Sequence, residues 1–322
     1  MTFKARIIGA AVAVAAVAAM GAAALAQPRA LTLGTASVGG TYFIYGGVVA
    51  TLLTEKTGIN VSTQQTQGPN QNMILVNNKN IELGMVTMGV ALHGWNGTGW
   101  ANGTKYDNVR ALFPMYDTPF HFIVTERSGI KSVKEMEGKN IGVGPRAGTP
   151  GTYFPLMFDA LGMKVTIRNG GASDMASQLG DGLLDVFAFA AGIPIAAYSE
   201  IEAQRPVRFI RFTDAELKTL KEKIPELSDS VIPKGTYKTL TEDHPTLGVY
   251  NFAIAHKDLP DDVAYNIVKT ILENNAAMKQ GHAAAVETIA ANADKNTFLP
   301  FHPGAIKYYK EKGIALNPKT MQ

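Results

Sequence analysis

Leu31-Thr32-Leu33-Gly34-Thr35-Ala36-Ser37-Val38-Gly39-Gly40-Thr41-Tyr42 and Ile141-Gly142-Val143-Gly144-Pro145-Arg146-Ala147-Gly148-Thr149-Pro150-Gly151-Thr152-Tyr153 are two statements of one design. In each, a short apolar strand runs into a loop of small residues, and the loop opens a helix. Each stretch then continues through a second strand to a polar turn at another helix start, Gln67-Gly68-Pro69-Asn70 in the first and Gly170-Gly171-Ala172-Ser173 in the second. Each reaches a third strand, Gly84-Met85-Val86 and Asp185-Val186-Phe187. Strands alternating with helices predict an α/β fold with parallel sheets. Two copies, over 31–86 and 141–189, predict two lobes with a cleft between them. The arrangement expected is a two-lobed α/β architecture with a hinge.

Helix starts that face such a cleft favour an anion. The first N–H groups of a helix lack internal partners, and its dipole is positive there. A carboxylate accepts those N–H bonds, and glycine lets it approach the backbone closely. The candidates in the first lobe are therefore Gly39, Gly40, Thr41 and Tyr42, and in the second Gly148 and Thr149. Alternatively, these glycines only make tight strand-to-helix turns. Arg146 offers a planar guanidinium fork for a carboxylate, or else is a solvated loop residue. Gln67 and Asn72 belong to an amide-rich turn, able to bond polar ligand groups or simply polar. Ligands of open α/β sheets sit at the carboxyl ends of strands. Met88 and Phe189, at the ends of the third strands, are candidates on that ground, with a core role the alternative for Phe189.

The 322 residues favour two domains. Residues 1–26 read as a secretory leader, with an N-terminal anchor the alternative: Lys4 and Arg6 precede an apolar run, and Ala24-Leu25-Ala26 fits a cleavage site. The expected division is 1–26 as signal peptide, 27–118 as the first part of lobe 1, 119–248 as lobe 2, and 249–322 returning to lobe 1. Chain crossings are expected near 116–120 and 247–250. Lys4 and Arg6 supply two of the net +3 charges, so the remaining chain is almost neutral and has no basic stripe for nucleic acid. The chain has no cysteine, hence no disulfide framework and no lipidated cysteine.

Nothing in the sequence spells out catalysis. The six histidines form no HxxxH or HExxH pair, and no Gly-x-Ser-x-Gly elbow is present. The glycine-rich segment 142–151 lacks both the P-loop ending and dinucleotide spacing. No catalytic residue, metal or cofactor is expected.

Local elements follow from pattern. Helices are predicted after Thr41 to a cap at Gly58, over 70–76, 150–161, 173–179, 214–223, 261–279, 283–290 and 305–312. Strands are predicted over 59–63, 81–86, 109–115, 121–125, 207–212 and 249–255, with Pro114 and Pro119 breaking the middle pair. A capping box at Ser132 and Glu135 is predicted to start a short helix. Residues 94–103, with Trp95 and Trp100, read as a surface loop, and 225–246 as irregular.

The order Leu33-Gly34-Thr35, Gly39-Gly40-Thr41-Tyr42, Thr66-Gln67-Gly68 with Asn72, Ile141-Gly142-Val143-Gly144, Gly148-Thr149, and His302-Pro303-Gly304-Ala305 with Tyr308-Tyr309 resembles the TAXI-type solute receptors of TRAP transporters. The resemblance runs from about residue 31 to 313. It implies a two-lobed periplasmic-binding-protein fold, type II-like, with a ligand cleft between the lobes, and a periplasmic receptor that hands a small carboxylate (an amino acid, a dicarboxylate or an oxo acid) to the membrane permease subunits of an ion-driven transporter. It places ligand contacts in the first glycine loop, here Gly39, Gly40, Thr41 and Tyr42, and at the second-lobe helix start, here Gly148 and Thr149. The sequence departs from that pattern at Arg146, where small residues are usual, and at Pro150-Gly151. A monomer is expected. An importer driven by ATP, a sensory receptor, or a periplasmic enzyme on the same scaffold are the alternatives.

Overall fold

A computed structural model describes residues 30–322; the expected leader over 1–26 lies outside the described residues. The first repeat folds as β1 (Ala30–Gly34), α1 (Thr41–Thr57), β2 (Asn60–Gln64), α2 (Pro69–Asn77) and β3 (Leu83–Thr87). Gly58 ends α1 with a left-handed backbone, as the sequence predicts. Helix α3 (Met88–Asn96) and the strand β4 (Val109–Thr125) follow. The second repeat folds as β5 (Asn140–Gly142), α4 (Thr149–Ala160), β6 (Thr166–Arg168), α5 (Ala172–Asp181) and β7 (Val186–Ala190). Then come α6 (Ala196–Gln204), β8 (Val207–Ile210), α7 (Asp214–Lys223), β9 (Ser228–Ile232) and β10 (His244–His256). The chain closes with α8 (Asp261–Glu273), α9 (Asn275–Gly281) and α10 (Pro303–Glu311).

The two repeats build matching sheets. β1 lies between β2 and β3, and β5 between β6 and β7, all four pairings parallel. Between the two triplets run β10 and β4, giving the order β2-β1-β3-β10-β4-β7-β5-β6. β10 pairs antiparallel with β3 at one end and with β9 at the other. β4 continues past β10 to pair with β7 and β8. β4 therefore serves both sheets, and β10 lies beside it between them. They pair with each other where they pass between, Thr118 opposite Val249 and Asp117 opposite Tyr250.

Packing follows this division. One core joins Leu33, Val49 and Met85 of the first repeat to Phe252, Ile271 and Tyr309 near the end of the chain. The second sheet buries both faces, Phe122, Phe154 and Phe158 on one side and Met175, Phe187 and Tyr198 on the other. The His302-Pro303-Gly304 motif is a packing device. His302 Nδ1 accepts from the Gly304 N–H at 3.2 Å, and a Cβ at Gly304 would stand 2.1 Å from the Asp261 carbonyl oxygen. Only glycine lets α10 press that closely on α8.

Several local expectations are corrected. The two strands separated by prolines are one strand of 17 residues. Pro114 and Pro119 both stand in its pairing with β10, and the register shifts around Phe252 absorb the irregularity. Residues 94–103 are not a bare surface loop. The end of α3 occupies part of them, Trp100 donates to the Val90 carbonyl at 2.9 Å, and its ring stacks on Tyr106 at 5.4 Å. Ser132 caps nothing; Glu135 instead accepts from the Lys131 N–H at 2.7 Å, and the helical turn is only Lys134–Met136. A capping box exists at Thr213 and Glu216. The long helix over 261–279 breaks at Asn274 into α8 and α9. β9 lies within the stretch read as irregular, and α6 has no counterpart in the sequence-based reading.

Candidate functional site

Three helices start at the junction of the two sheets, and each has glycine as its cap: Gly40 before α1, Gly68 before α2 and Gly148 before α4. None of the three has a side-chain capping bond. A serine or aspartate there would satisfy an N–H group of the first turn. Glycine leaves the N–H groups of Thr41, Tyr42 and Thr149 to other acceptors. These residues line one cavity of about 40 Å³, shared with Ser37, Thr118, Phe189 and Asn251.

The two repeats touch directly around it. The Asn70 N–H donates to the Ala147 carbonyl at 3.3 Å, and the Ala197 N–H to the Gly39 carbonyl at 3.1 Å. The hydroxyls of Thr87 and Thr149 are 3.1 Å apart. The Thr41 hydroxyl donates to the Gly192 carbonyl. A Cβ at Gly68, whose φ is +118°, would lie 3.0 Å from the Gly148 Cα. The cleft is closed, and glycine is what permits the contact. Phe189 forms a wall: a Cβ on Gly40 of one lobe would lie 3.7 Å from its ring, and one on Gly144 of the other 2.5 Å.

The floor is a fixed polar network. Asn251 on β10 donates from Nδ2 to the Tyr116 carbonyl at 2.7 Å and to the Thr118 hydroxyl. Its Oδ1 accepts from the Tyr42 hydroxyl at 2.6 Å. A carbonyl oxygen can only accept, so the Tyr116 contact sets the amide's orientation. Burial pushes the Tyr42 phenol well above its ordinary pKa, which keeps it a neutral donor. No residue lining the cavity carries a charge at neutral pH. Among the described residues, no group of three or more acidic or histidine side chains is placed to hold a metal ion.

The NMT1-like family profile matches residues 33–313. The chain belongs to the NMT1-like family. Solved structures share its architecture at low identity. MatC from Rhodopseudomonas palustris with bound malate is 10% identical, with 88% of this chain and 96% of that one covered, at a TM-score of 0.60. An ancestral arginine-binding protein bound to arginine is 12% identical over 80% of this chain and 98% of that one, at 0.51. A periplasmic transporter is 14% identical over 78% and 82%, also at 0.51. This NMT1-like chain therefore has the two-lobed fold of periplasmic substrate-binding proteins, with the cleft between its lobes. Among its described residues no helix is long and apolar enough to cross a membrane.

Of the residues singled out from sequence, Gly40, Thr41, Tyr42, Gln67, Gly148, Thr149 and Phe189 line the cavity together. Four stand elsewhere. Gly39 sits in the contact between lobes, with φ +84°. Asn72 is wholly buried; its Nδ2 donates to the carbonyls of Thr35 at 2.9 Å and Met85 at 3.0 Å, and its Oδ1 accepts from Thr66 at 2.8 Å. It ties the first repeat together from inside. Met88 faces a separate groove with Gly89 and Asp117. Arg146 is exposed, and its side chain is not part of the lining. Thr118 and Asn251 escaped the sequence reading. Their signal was the crossing segments themselves, because a hinge between two lobes is also the floor of the cleft.

Proposed function

We propose that this chain is a periplasmic solute receptor that captures a small organic anion by closure of its two lobes. The observation carrying this reading is the convergence of Thr41 and Tyr42 from one lobe and Thr149 from the other on one cavity, each at a helix start capped only by glycine. Such groups stabilise negative charge without bringing a counter-ion. Closure removes water, which strengthens each charge-assisted bond. Ligand shifts the open–closed balance by its greater affinity for the closed form.

Family and fold support binding rather than turnover, and no catalytic constellation lines the cleft. The malate and arginine in related folds belong to those proteins. For this chain the candidate ligands are amino acids, dicarboxylates and oxo acids. The resemblance to TAXI receptors makes the permease subunits of a TRAP transporter the partner we infer. We infer also that the leader over 1–26 directs export and that lobe 2 spans 119–248. Calorimetry across those three ligand groups tests the reading. Heat of binding with a one-to-one stoichiometry is expected for at least one small carboxylate, and no binding by any would refute it.

A further inference from the structure

We propose that the ligand is a short monocarboxylate with an acceptor oxygen on the carbon next to the carboxylate, a 2-oxo or 2-hydroxy acid, and that the Thr118 hydroxyl reads that oxygen. This rests on the receptor reading above and narrows it.

Charge comes first. The cavity wall is made of Ser, Thr, Tyr, Gln, Asn, Gly, Ala, Pro and Phe side chains, with no carboxylate and no cation. One negative charge is matched by the helix starts of α1 and α4. A second carboxylate would meet no charged partner along the wall, and neither would an ammonium group. Burying an unpaired charge is prohibitive beside the modest gain of a few hydrogen bonds. Dicarboxylates and amino acids are therefore disfavoured, and a neutral tail against Phe189, Pro145 and Pro150 is favoured.

Size comes second. The cavity is about 40 Å³. On this measure one water needs roughly 10–15 Å³, so the space holds roughly three or four waters, or an acid of about two to four carbons.

The third argument is a donor left over. Thr118 is 2% exposed and lines the cavity. Its oxygen accepts from Asn251 Nδ2, whose other proton is committed to the Tyr116 carbonyl. The Thr118 hydroxyl proton has no acceptor among the described residues. Buried donors find partners, and the remaining direction is the cavity. A hydrogen-bonding site discriminates strongly against an analogue that lacks the matching atom, because its own group is then left unpaired. Ser37 also has a free hydroxyl proton, since its oxygen accepts from the Ala172 N–H at 3.3 Å. It shares a loop with Thr41 and joins the donors available to the carboxylate.

Calorimetry with pyruvate, lactate, propionate, malate and glutamate tests this, on the wild type and on Thr118→Val and Thr118→Ser. Pyruvate or lactate should bind at least tenfold more tightly than propionate, and malate and glutamate should bind more weakly still. The pyruvate-to-lactate ratio then says whether the oxygen is oxo or hydroxyl. Thr118→Val should bring the better of these two down towards propionate while propionate itself changes little, and Thr118→Ser should restore the preference. Because the preference is a ratio of two affinities measured on folded protein, partial unfolding of a variant does not imitate it. Malate or glutamate binding more tightly than pyruvate and lactate overturns the proposal and leaves the receptor reading intact. So does a preference over propionate that survives Thr118→Val. No binding by any acid overturns both.

Discussion

Glu226 Oε1 lies 2.9 Å from His93 Nε2, joining α3, which follows the first repeat, to the segment between α7 and β9. Tyr153 of the second repeat donates to the same oxygen at 3.2 Å. With lobe 2 taken as 119–248, the contact spans the two lobes and should act as a latch on the closed form. Burial alone would raise the Glu226 carboxyl, but hydrogen bonds from His93 and Tyr153 and the His93 charge outweigh burial and hold it below its ordinary value. A depressed acid stabilises the closed form above its ordinary pKa, and that support is lost as pH falls through the lowered value. Glu226→Gln should weaken ligand binding several-fold at neutral pH and flatten its fall in acid below about pH 4, near the ordinary value for Glu. Titration calorimetry across pH measures both.

Gly39 separates closure from folding. At φ +84° any other residue is strained, and a Cβ would lie 2.4 Å from the Ser173 hydroxyl of the other lobe. Gly39→Ala should cost about 1–2 kcal/mol of stability from backbone strain. Its larger effect should be on binding, with affinity falling at least tenfold because the closed form is wedged open. Thermal melts and calorimetry on the same sample distinguish the two effects. Small-angle scattering with ligand should report the open shape.

His121 should make the protein acid-sensitive. It is fully buried, accepts at Nε2 from the Tyr237 hydroxyl at 3.2 Å, and donates from Nδ1 to the Pro119 carbonyl at 3.0 Å. Burial, with the neighbouring His244, lowers its pKa to about 3, and burial lowers that of His244 to about 4. The unfolded chain takes up these protons near pH 6.5 and the folded chain does not, so stability is full above that pH and falls as pH drops below it. For His121 alone the loss at pH 5 is about 2 kcal/mol. Urea unfolding at pH 7 and pH 5 should show it. His121→Gln should be less stable at pH 7 but lose less between the two.

Arg146 and Asn72 should behave in opposite ways. Arg146→Ala should leave carboxylate affinity within about twofold, because the side chain is exposed outside the cavity. Asn72→Ala should lower stability by about 2–4 kcal/mol, because it removes the buried amide that bridges the Thr35 and Met85 carbonyls and accepts from Thr66. Calorimetry and urea unfolding on both variants give the comparison. Arg146→Ala abolishing binding would return the guanidinium to the site.

The duplicated strand–loop–helix units were legible because each is a local object. Glycines at fixed offsets from apolar strands require tight turns and exposed helix starts wherever the chain is placed, which is why Gly40, Thr41, Gly148 and Thr149 could be singled out from the sequence. α6 and β9 were missed because neither has a clean period. β9 in particular (Ser228–Ile232) is mostly exposed and is a strand only because β10 pairs with it. Proline misled at β4, since its cost depends on whether a ladder bond is needed at that position, and pairing decides that.

The two α/β repeats and the glycine-capped helix starts are written locally in the chain, because turn geometry and hydrophobic period are properties of neighbouring residues. Tertiary structure alone decided that Thr118 and Asn251, 133 positions apart, share the floor of the cleft. It alone left the cavity without a charged wall, removing Arg146 and Asn72 from it. The reason is physical: a side chain's direction and its remaining hydrogen-bond capacity are set by what β4 and β10 meet as they cross between lobes, and no local pattern encodes that meeting.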